Sequence, residues 1–67
     1  MTLKNSLKEH RKRNNFTQEE LGDKVGVSRQ TIISIEKYKY KPSMELGLKL
    51  AMELKVQVET LFFLVDQ

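Results

Sequence analysis

Residues 16–36 have the sequence FTQEELGDKVGVSRQTIISIE, and this stretch predicts a short helix with specific signals at both ends. Thr17 is followed three residues later by Glu20, the spacing of a capping box in which each side chain accepts a hydrogen bond from the other residue's backbone. A helix is therefore predicted over Gln18–Val25. Gly26 ends it, because glycine adopts the left-handed conformation that closes many helices at little cost.

A second helix is predicted directly after the first. Val27 is an apolar turn residue, and Ser28 is a good N-cap for a helix over Arg29–Lys37. Two helices joined by so short a turn must cross steeply, which is the geometry of a helix-turn-helix. Where this motif binds DNA, its second helix enters the major groove.

Three further helices are predicted outside this motif. Apolar periodicity predicts a first helix from about Leu3 to Asn14. Ser43 is positioned to cap a fourth helix over Met44–Leu54. A short fifth helix is predicted through Leu61–Phe62, and residues 63–67 follow as a tail that can be extended. The fold class that follows is all-α, with five helices and the option of a short extended C-terminal tail.

The fourth predicted helix carries more apolar residues than one face can bury. We expect its inward stripe to consist of Met44, Gly47, Leu48, Ala51 and Leu54. Apolar residues off this stripe and in the tail give more exposed apolar surface than a small monomer usually has. We therefore expect a two-fold homodimer formed by residues 44–67, with the interface residues Leu46, Met52, Phe62, Phe63 and Val65.

The tail has an alternative arrangement within one monomer. Phe63 and Val65 can fold back and pair with residues 2–4 as a small sheet. This pairing and the dimer are compatible with each other, so both stay open.

Composition excludes several classes of protein. The chain has 67 residues, of which 39% are hydrophobic and 31% charged, so there is room for one modest core. It has no cysteine and one histidine, His10, which excludes disulfides, thiolate sites and multi-histidine metal sites. It contains neither a membrane-spanning apolar run nor the apolar stretch of a signal peptide. We expect a cytoplasmic binding module that is not an enzyme and uses no cofactor, metal or small-molecule ligand.

Positive charge is concentrated in two blocks of the sequence. Residues 1–15 contain five lysines and arginines against one glutamate, and residues 28–43 contain four against one. The segments between and after these blocks are net acidic, and the whole chain has a formal charge of +3. Such asymmetry favours a polyanionic partner, although many short basic proteins bind no nucleic acid.

Several short motifs together resemble one known family. They are FTQEEL at 16–21, VGVSRQTI at 25–32, Ile35-Glu36, Lys39 and Pro42-Ser43. This combination is similar to the Cro and phage-repressor (XRE-like) helix-turn-helix family, over about residues 7–62. The resemblance implies a compact five-helix lambda-repressor-like domain spanning residues 1–67, with its helix-turn-helix at about 18–37. It also implies double-stranded DNA as a partner and a homodimeric transcriptional regulator.

Residue by residue, the resemblance implies which side chains meet DNA. Those expected to recognise bases are Ser28, Arg29, Gln30, Ile33 and Ser34. Arg29 has the donors to bind guanine O6 and N7, Gln30 can pair with adenine N6 and N7, and Ile33 can contact a thymine methyl. Those expected at phosphates are Thr17, Gln18, Thr31, Lys37, Lys39, Lys41 and Ser43. Arg11 and Glu36 match a pair that the family joins in a structural salt bridge.

The sequence departs from the family pattern at two informative positions. Tyr38 stands where the family mostly has glycine or asparagine in a left-handed turn, so either the backbone is strained by ~1–2 kcal/mol or the loop follows another path. Gly22 replaces the usual alanine between the two helices of the motif, which costs about 0.5–1 kcal/mol of helix stability. Tyr38 and Tyr40 have the chemistry to stack on bases, but packing or sugar-phosphate contact is favoured.

Two alternatives compete with DNA recognition. Arg29, Gln30 and Lys37 can form an ordinary solvated helix face, and Ile33 can be partly buried against the following loop. At the level of function, the alternative is an antitoxin or adaptor-type module whose apolar C-terminal surface binds another protein. If the chain is a regulator, repression is the expected mode, because a bare binding domain can act by steric blocking.

Overall fold

A computed structural model describes residues 1–66, and their elements follow the order strand, five helices, strand. The bounds are β1 Thr2–Asn5, α1 Leu7–Arg13, α2 Gln18–Val25, α3 Arg29–Glu36, α4 Met44–Leu54, α5 Val58–Leu61 and β2 Phe62–Val65. The predicted five-helix fold is confirmed, and a small sheet accompanies it. Gln67, the last residue of the predicted tail, lies outside the described residues.

The start of α2 is held by the predicted capping box. The Glu20 backbone N–H donates to Thr17 Oγ1 at 3.0 Å, and the Thr17 N–H donates to Glu20 Oε1 at 2.8 Å. At the other end, Gly26 adopts a left-handed conformation with a φ of 80°. The bounds predicted for α2 are therefore confirmed at both ends.

Gly22 allows α2 and α3 to approach closely. A Cβ atom at this position would lie 2.7 Å from the Val27 carbonyl oxygen, which is closer than the Cβ atoms of real side chains come to other atoms. The Val27 N–H in turn donates to the Gly22 carbonyl at 2.9 Å. The glycine costs helix propensity, but the turn of the motif passes through the space that a side chain would fill.

The N-terminal residues form a strand and not the predicted first turn of helix. β1 pairs antiparallel with β2, with Thr2 opposite Val65 and Asn5 opposite Phe62. The prediction of a helix from Leu3 was wrong because pairing with β2 overrides local helix propensity here. The Asn5 side chain accepts from the Leu7 N–H at 3.1 Å, so the helix begins only after this strand.

The sheet also decides the arrangement of the C-terminal tail. The predicted alternative of a small sheet is confirmed, and it extends one residue further on each strand than expected. Phe62 was predicted in the fifth helix but lies in β2, with extended backbone angles. α5 therefore consists only of Val58–Leu61.

The inward stripe predicted for α4 was partly wrong. Met44 and Leu48 are 76% and 47% exposed, whereas Leu46 is 8% exposed and lies in the core. The physical reason is that α4 is apolar at every even position from 44 to 54, which leaves two possible stripes. Both stripes contain Gly47, Ala51 and Leu54, and the contacts of α4 with α2 and α5 bury Leu46 in place of Met44 and Leu48. Leu50, which was not predicted as inward, is fully buried.

The core lies between the helix-turn-helix and α4. Its buried apolar side chains are Leu7, Leu21, Val25, Ile32, Ile35, Leu46, Leu50, Ala51, Leu54 and Leu61. α3 contributes Ile32 and Ile35 and ends at Glu36, with Lys37 as its C-cap. The face of α3 opposite these two isoleucines carries the exposed Gln30 and the half-buried Ile33.

Candidate nucleic-acid interface

The outward face of α3 carries the residues predicted to recognise bases. Because successive residues rotate by about 100°, Gln30, Ile33 and Lys37 point away from the buried isoleucines. Arg29, Gln30 and Lys37 are exposed, as a DNA-contacting face requires. Ile33 is half-buried, so it has less free surface than its exposed neighbours.

Two of the predicted DNA-contacting residues, Ser28 and Thr31, form hydrogen bonds with each other at the start of α3. Ser28 Oγ accepts from the Thr31 N–H at 3.2 Å, which makes Ser28 the N-cap of the helix. The two hydroxyls also lie 3.1 Å apart, so they hydrogen-bond to each other. Ser28 therefore stabilises the start of α3, and it is also exposed there.

Arg11 and Glu36 form the ion pair that the resemblance implies. Arg11 Nε donates to Glu36 Oε2 at 2.7 Å, and the two side chains are only 9% and 4% exposed. Arg11 Nη2 donates to Glu36 Oε1 at 3.3 Å, and Nη1 donates to the Phe16 carbonyl at 2.9 Å. The guanidinium therefore joins α1, the turn after it and the end of α3.

The same carboxylate holds Gln18, which was predicted at a phosphate. Gln18 Nε2 donates to Glu36 Oε1 at 3.2 Å, and the Gln18 side chain is partly exposed. Gln18 is the first residue of α2 and lies beside the C-terminal part of α3. One amide N–H and the amide oxygen remain for a ligand, in an orientation that Glu36 sets.

The loop after α3 contains the remaining lysines of the set. Lys37, Lys39 and Lys41 are exposed, and Ser43 caps α4 by accepting from the Leu46 N–H at 3.2 Å. Thr17, at the start of α2, is also exposed while it caps that helix. The predicted phosphate contacts thus lie at helix starts and in the loop, where side chains can reach a passing strand.

Tyr38 adopts the left-handed conformation with a φ of 61°. Of the two possibilities for this position, the strained backbone is therefore the one observed. Its N–H donates to the Ile35 carbonyl at 3.0 Å and the Lys39 N–H donates to the Ser34 carbonyl at 2.9 Å, which closes α3 in a Schellman motif. The Tyr38 hydroxyl donates to the Asn5 carbonyl at 3.2 Å, and Lys4 Nζ lies 5.0 Å from the ring centre. Tyr38 thus packs against β1.

The apolar residues predicted at a dimer interface are only partly exposed. Leu46 lies in the core of the monomer, so placing it off the inward stripe was wrong. Met52 and Phe63 are 77% and 38% exposed, while Phe62 and Val65 are half-buried. Phe62 lines an apolar groove of about 180 Å³ together with Leu3, Pro42, Ser43, Met44, Gly47 and Val58.

Two classes of site are absent from the described part of the chain. Residues 1–66 contain no group of three histidine, cysteine, aspartate or glutamate side chains placed to hold a metal ion. None of the helices formed by these residues is long and apolar enough to cross a membrane.

Comparisons with known proteins agree with this geometry. A family model described as helix-turn-helix matches residues 7–61. An HTH-type transcriptional regulator of Methanocaldococcus jannaschii is 52% identical over 64 residues, which cover 96% of this chain and 97% of that protein.

Solved structures show the same fold. The P22 c2 repressor in complex with a synthetic operator has a TM-score of 0.76 and 30% identity, covering 79% of this chain and 80% of the repressor chain. A chain of the SinR protein/SinI protein complex has a TM-score of 0.75 and 33% identity, covering 81% of this chain and 53% of that one.

Proposed function

Because the chain belongs to the helix-turn-helix family of Cro and phage-repressor type, and is a transcriptional regulator with the DNA-binding fold of that family, we propose that it binds a pseudo-palindromic operator as a homodimer. Each subunit inserts α3 into a major groove, and the two half-sites lie about one helical turn, ~34 Å, apart. The bound dimer acts as a repressor by covering promoter DNA.

The observation that carries this proposal is the free outward face of α3. Arg29, Gln30 and Lys37 are exposed on it, and Gln18 is held beside its C-terminal end by Glu36. A solvated helix face needs no such fixed neighbour, whereas a side chain that binds a phosphate beside the groove benefits from a preset orientation.

Base recognition follows from the chemistry of this face. Arg29 donates to guanine and Gln30 pairs with adenine, both through two hydrogen bonds. Ile33, which is half-buried, uses its remaining surface to contact a thymine methyl. Ser28 and Ser34 have hydroxyls that bind either kind of base edge.

Phosphate contacts supply most of the affinity. Lys37, Lys39 and Lys41 are exposed after the end of α3. Of the other residues proposed at phosphates, Thr17 and Ser43 are exposed at the starts of α2 and α4, and Gln18 and Thr31 are partly exposed. These contacts position the protein without distinguishing sequences. Affinity therefore falls steeply as salt concentration rises.

The homodimer is supported by apolar surface on α4 and β2. Met44, Leu48 and Met52 recur every four residues along α4 and are all at least 47% exposed. Leu64 on β2 is 60% exposed, and Met44 also lines the apolar groove that contains Phe62. We place the interface on this surface, with Met52, Phe62, Phe63 and Val65 retained from the sequence prediction and Leu46 removed from it.

Selection from a pool of random duplexes with purified protein at near-physiological salt tests the proposal. Enrichment of an inverted repeat with ~10 bp between half-site centres supports a dimer with one α3 in each major groove. Binding without any enriched sequence would contradict base recognition and leave only electrostatic attraction.

A second candidate function rests on the same apolar surface. In the antitoxin or adaptor alternative, the exposed stripe Met44–Leu48–Met52 binds a different protein and DNA binding is secondary. The similarity to a chain of the SinR protein/SinI protein complex is compatible with this alternative. Sedimentation of the purified chain distinguishes the two functions, because a homodimer buries this surface in the absence of any other protein.

A further inference from the structure

Asn5, the last residue of β1, contacts four different parts of the fold. Its Oδ1 atom accepts from the Leu7 N–H at 3.1 Å, which supports the start of α1. Its Nδ2 atom donates to the Ile35 carbonyl at 3.0 Å, one residue before the end of α3. Its backbone carbonyl accepts from the Tyr38 hydroxyl at 3.2 Å, and the residue lies opposite Phe62 in the sheet. One half-buried residue therefore joins β2, α1, α3 and the loop that follows α3.

The Asn5 side chain uses both of its polar atoms in these contacts. The Leu7 N–H needs an acceptor, and the Ile35 carbonyl needs a donor. A primary amide supplies an acceptor and two donor hydrogens on neighbouring atoms, whereas an ionised carboxylate only accepts and a serine has a single hydroxyl oxygen. The bond to α3 therefore depends on the amide group at this position.

The bond from Asn5 holds the end of a short helix. α3 has eight residues, and the Ile35 carbonyl also accepts from the Tyr38 N–H at 3.0 Å. Asn5 thus binds the same carbonyl that takes part in closing the helix. Glu36, the next residue, is bound by side chains of α1 and α2. The end of α3 is therefore fixed by hydrogen bonds from three other elements of the fold.

The position of this helix end determines what the outward face of α3 can reach. Ile33 and Lys37 lie about one turn apart, on either side of Ile35 in the sequence, and both belong to the candidate interface. Side chains that recognise a ligand must be held within about 0.5 Å and 10–20° of the productive geometry by the residues that support them. Without the bond from Asn5, the tilt of this helix end is less narrowly fixed.

Resting on the proposed operator binding, we propose that Asn5 is a positioning residue for DNA recognition. It acts through the Ile35 carbonyl, which fixes the tilt of α3, and through Tyr38, which holds the following loop against β1. Because Asn5 is paired with Phe62, the sheet formed by the two ends of the chain supports the recognition helix. Specific binding then depends on a residue that does not itself touch DNA.

Ser6 is the matched control for Asn5. It is the next residue and is also half-buried, and its hydroxyl donates to the Thr60 carbonyl at 2.8 Å, which joins the same junction to α5. Ser6→Ala therefore loses a hydrogen bond beside the start of α1 and leaves the bond from Asn5 to Ile35 in place. Asn5→Ser loses that bond without a change of charge.

Asn5→Asp is a second variant with a lower risk of unfolding. Its carboxylate has the shape of the amide and still accepts from the Leu7 N–H at the start of α1, where negative charge is favourable. It has no donor for the Ile35 carbonyl, so the bond to α3 is lost here as well.

The test compares these three variants with the wild-type chain. Dissociation constants are measured by fluorescence anisotropy on the selected operator and on an unrelated duplex of equal length, at a temperature where circular dichroism shows every variant to be folded. We expect Asn5→Ser to bind the operator about tenfold more weakly, within the range for one lost base contact, and the unrelated duplex as the wild type does. Asn5→Asp weakens binding to both duplexes through its added negative charge, and to the operator by a further factor of about ten. Ser6→Ala leaves both constants unchanged.

Hydrogen exchange gives a second readout that does not depend on DNA. The Tyr38 and Lys39 N–H groups donate to the carbonyls of Ile35 and Ser34 at 3.0 and 2.9 Å, so they report on the end of α3. We expect both amides to exchange about fivefold faster in Asn5→Ser, because the net contribution of one hydrogen bond changes a local opening equilibrium by this factor. In Ser6→Ala their exchange stays at the wild-type rate.

Three results would overturn the inference. Wild-type operator affinity in folded Asn5→Ser would show that α3 needs no support from β1. Equal losses on both duplexes in Asn5→Ser, matched by those in Ser6→Ala, would mean that Asn5 contributes only stability. Exchange that accelerates throughout the chain, and not selectively at the end of α3, would mean the same. A wild type that binds no duplex refutes the proposed function itself, which distinguishes that failure from these three.

Discussion

Gln18 Nε2 donates to Glu36 Oε1 at 3.2 Å, which joins the first residue of α2 directly to the last residue of α3. The other carboxylate oxygen of Glu36 accepts from Arg11 Nε at 2.7 Å. One side chain thus balances a buried positive charge and orients a polar residue at the edge of the candidate interface. Glu36 therefore links the stability of the fold to the position of the Gln18 side chain.

Glu36→Ala is expected to lower the free energy of unfolding by about 3–5 kcal/mol, because it leaves the Arg11 charge buried without a partner. Urea unfolding followed by circular dichroism measures the loss. The double variant Arg11→Met/Glu36→Leu removes both charges and is expected to recover most of this stability. It does not restore the contact with Gln18, so its DNA affinity stays below that of the wild type. Wild-type affinity in the folded double variant would show that Gln18 needs no orientation by Glu36.

Gly22→Ala is expected to destabilise the protein by about 1–3 kcal/mol, although alanine is the better helix former. The reason is the 2.7 Å separation between the added Cβ and the Val27 carbonyl oxygen, which forces the turn of the motif to move. Thermal or urea unfolding measures the change.

Gly47→Ala in α4 is the matched control for Gly22→Ala. The nearest atoms to its added Cβ lie 3.8 Å away, an ordinary contact, so we expect a gain of about 0.5–1 kcal/mol from helix propensity. Equal gains at both positions would mean that the motif accommodates a side chain at position 22 without strain.

Lys55→Gly is expected to raise the free energy of unfolding by about 1 kcal/mol, because Lys55 has a φ of 61° at the end of α4. Tyr38 has the same φ, but Tyr38→Gly also removes the hydrogen bond to Asn5 and the packing on β1. We therefore expect Tyr38→Gly to give a smaller change than Lys55→Gly, or a loss. Unfolding curves of the two variants measured side by side test this order, and a larger gain at position 38 would contradict it.

Leu46→Ala and Met52→Ala are expected to affect different properties, because Leu46 lies in the core and Met52 lies on the proposed dimer interface. Leu46 is 8% exposed, so its truncation costs about 2–5 kcal/mol of stability. Met52 is 77% exposed, so its truncation leaves the stability of the monomer nearly unchanged but raises the dimer dissociation constant. Unfolding and analytical ultracentrifugation of both variants make the comparison. A dimer that is insensitive to Met52→Ala would place the interface elsewhere.

Arg29→Ala and Gln30→Ala are each expected to cost about 1–3 kcal/mol of operator binding and to relax specificity at one base pair. Lys39→Ala instead weakens all duplexes alike and reduces the salt slope. Repeating the duplex selection with each variant measures the change in preferred sequence. An unchanged preference in both Arg29→Ala and Gln30→Ala would exclude them as base-contacting residues.

Elements with local signals were predictable from the sequence. The capping box of Thr17 and Glu20, the left-handed Gly26 and the caps Ser28 and Ser43 depend only on residues within a few positions of each other. The bounds of α2 and α4 were therefore predicted correctly. Local sequence favoured a helix from Leu3 over the strand at residues 2–5, because the partner of that strand lies at the far end of the sequence.

Long-range packing also explains why the buried stripe of α4 and the position of Tyr40 were not predicted from the sequence. Apolar residues at alternate positions of α4 gave no preference for one stripe, and the contacts of α4 with α2 and α5 determine which one is buried. In the candidate interface, the outward residues of α3 followed from its period of 3.6. The position of Tyr40 beside Ser34 did not, because it depends on the path of the loop after Tyr38.

The pairing of Thr2 with Val65 has a consequence for the order of folding. Closing a loop of nearly the whole chain carries a large entropic cost before any contact is gained. α2 and α3 are neighbours in the sequence and can dock early, because contacts between nearby residues form fastest. We expect strand pairing to form after the rate-limiting barrier, so substitutions in β1 and β2 accelerate unfolding more than they slow folding. The paired strands then slow the unfolding of a helical unit that assembles before they pair.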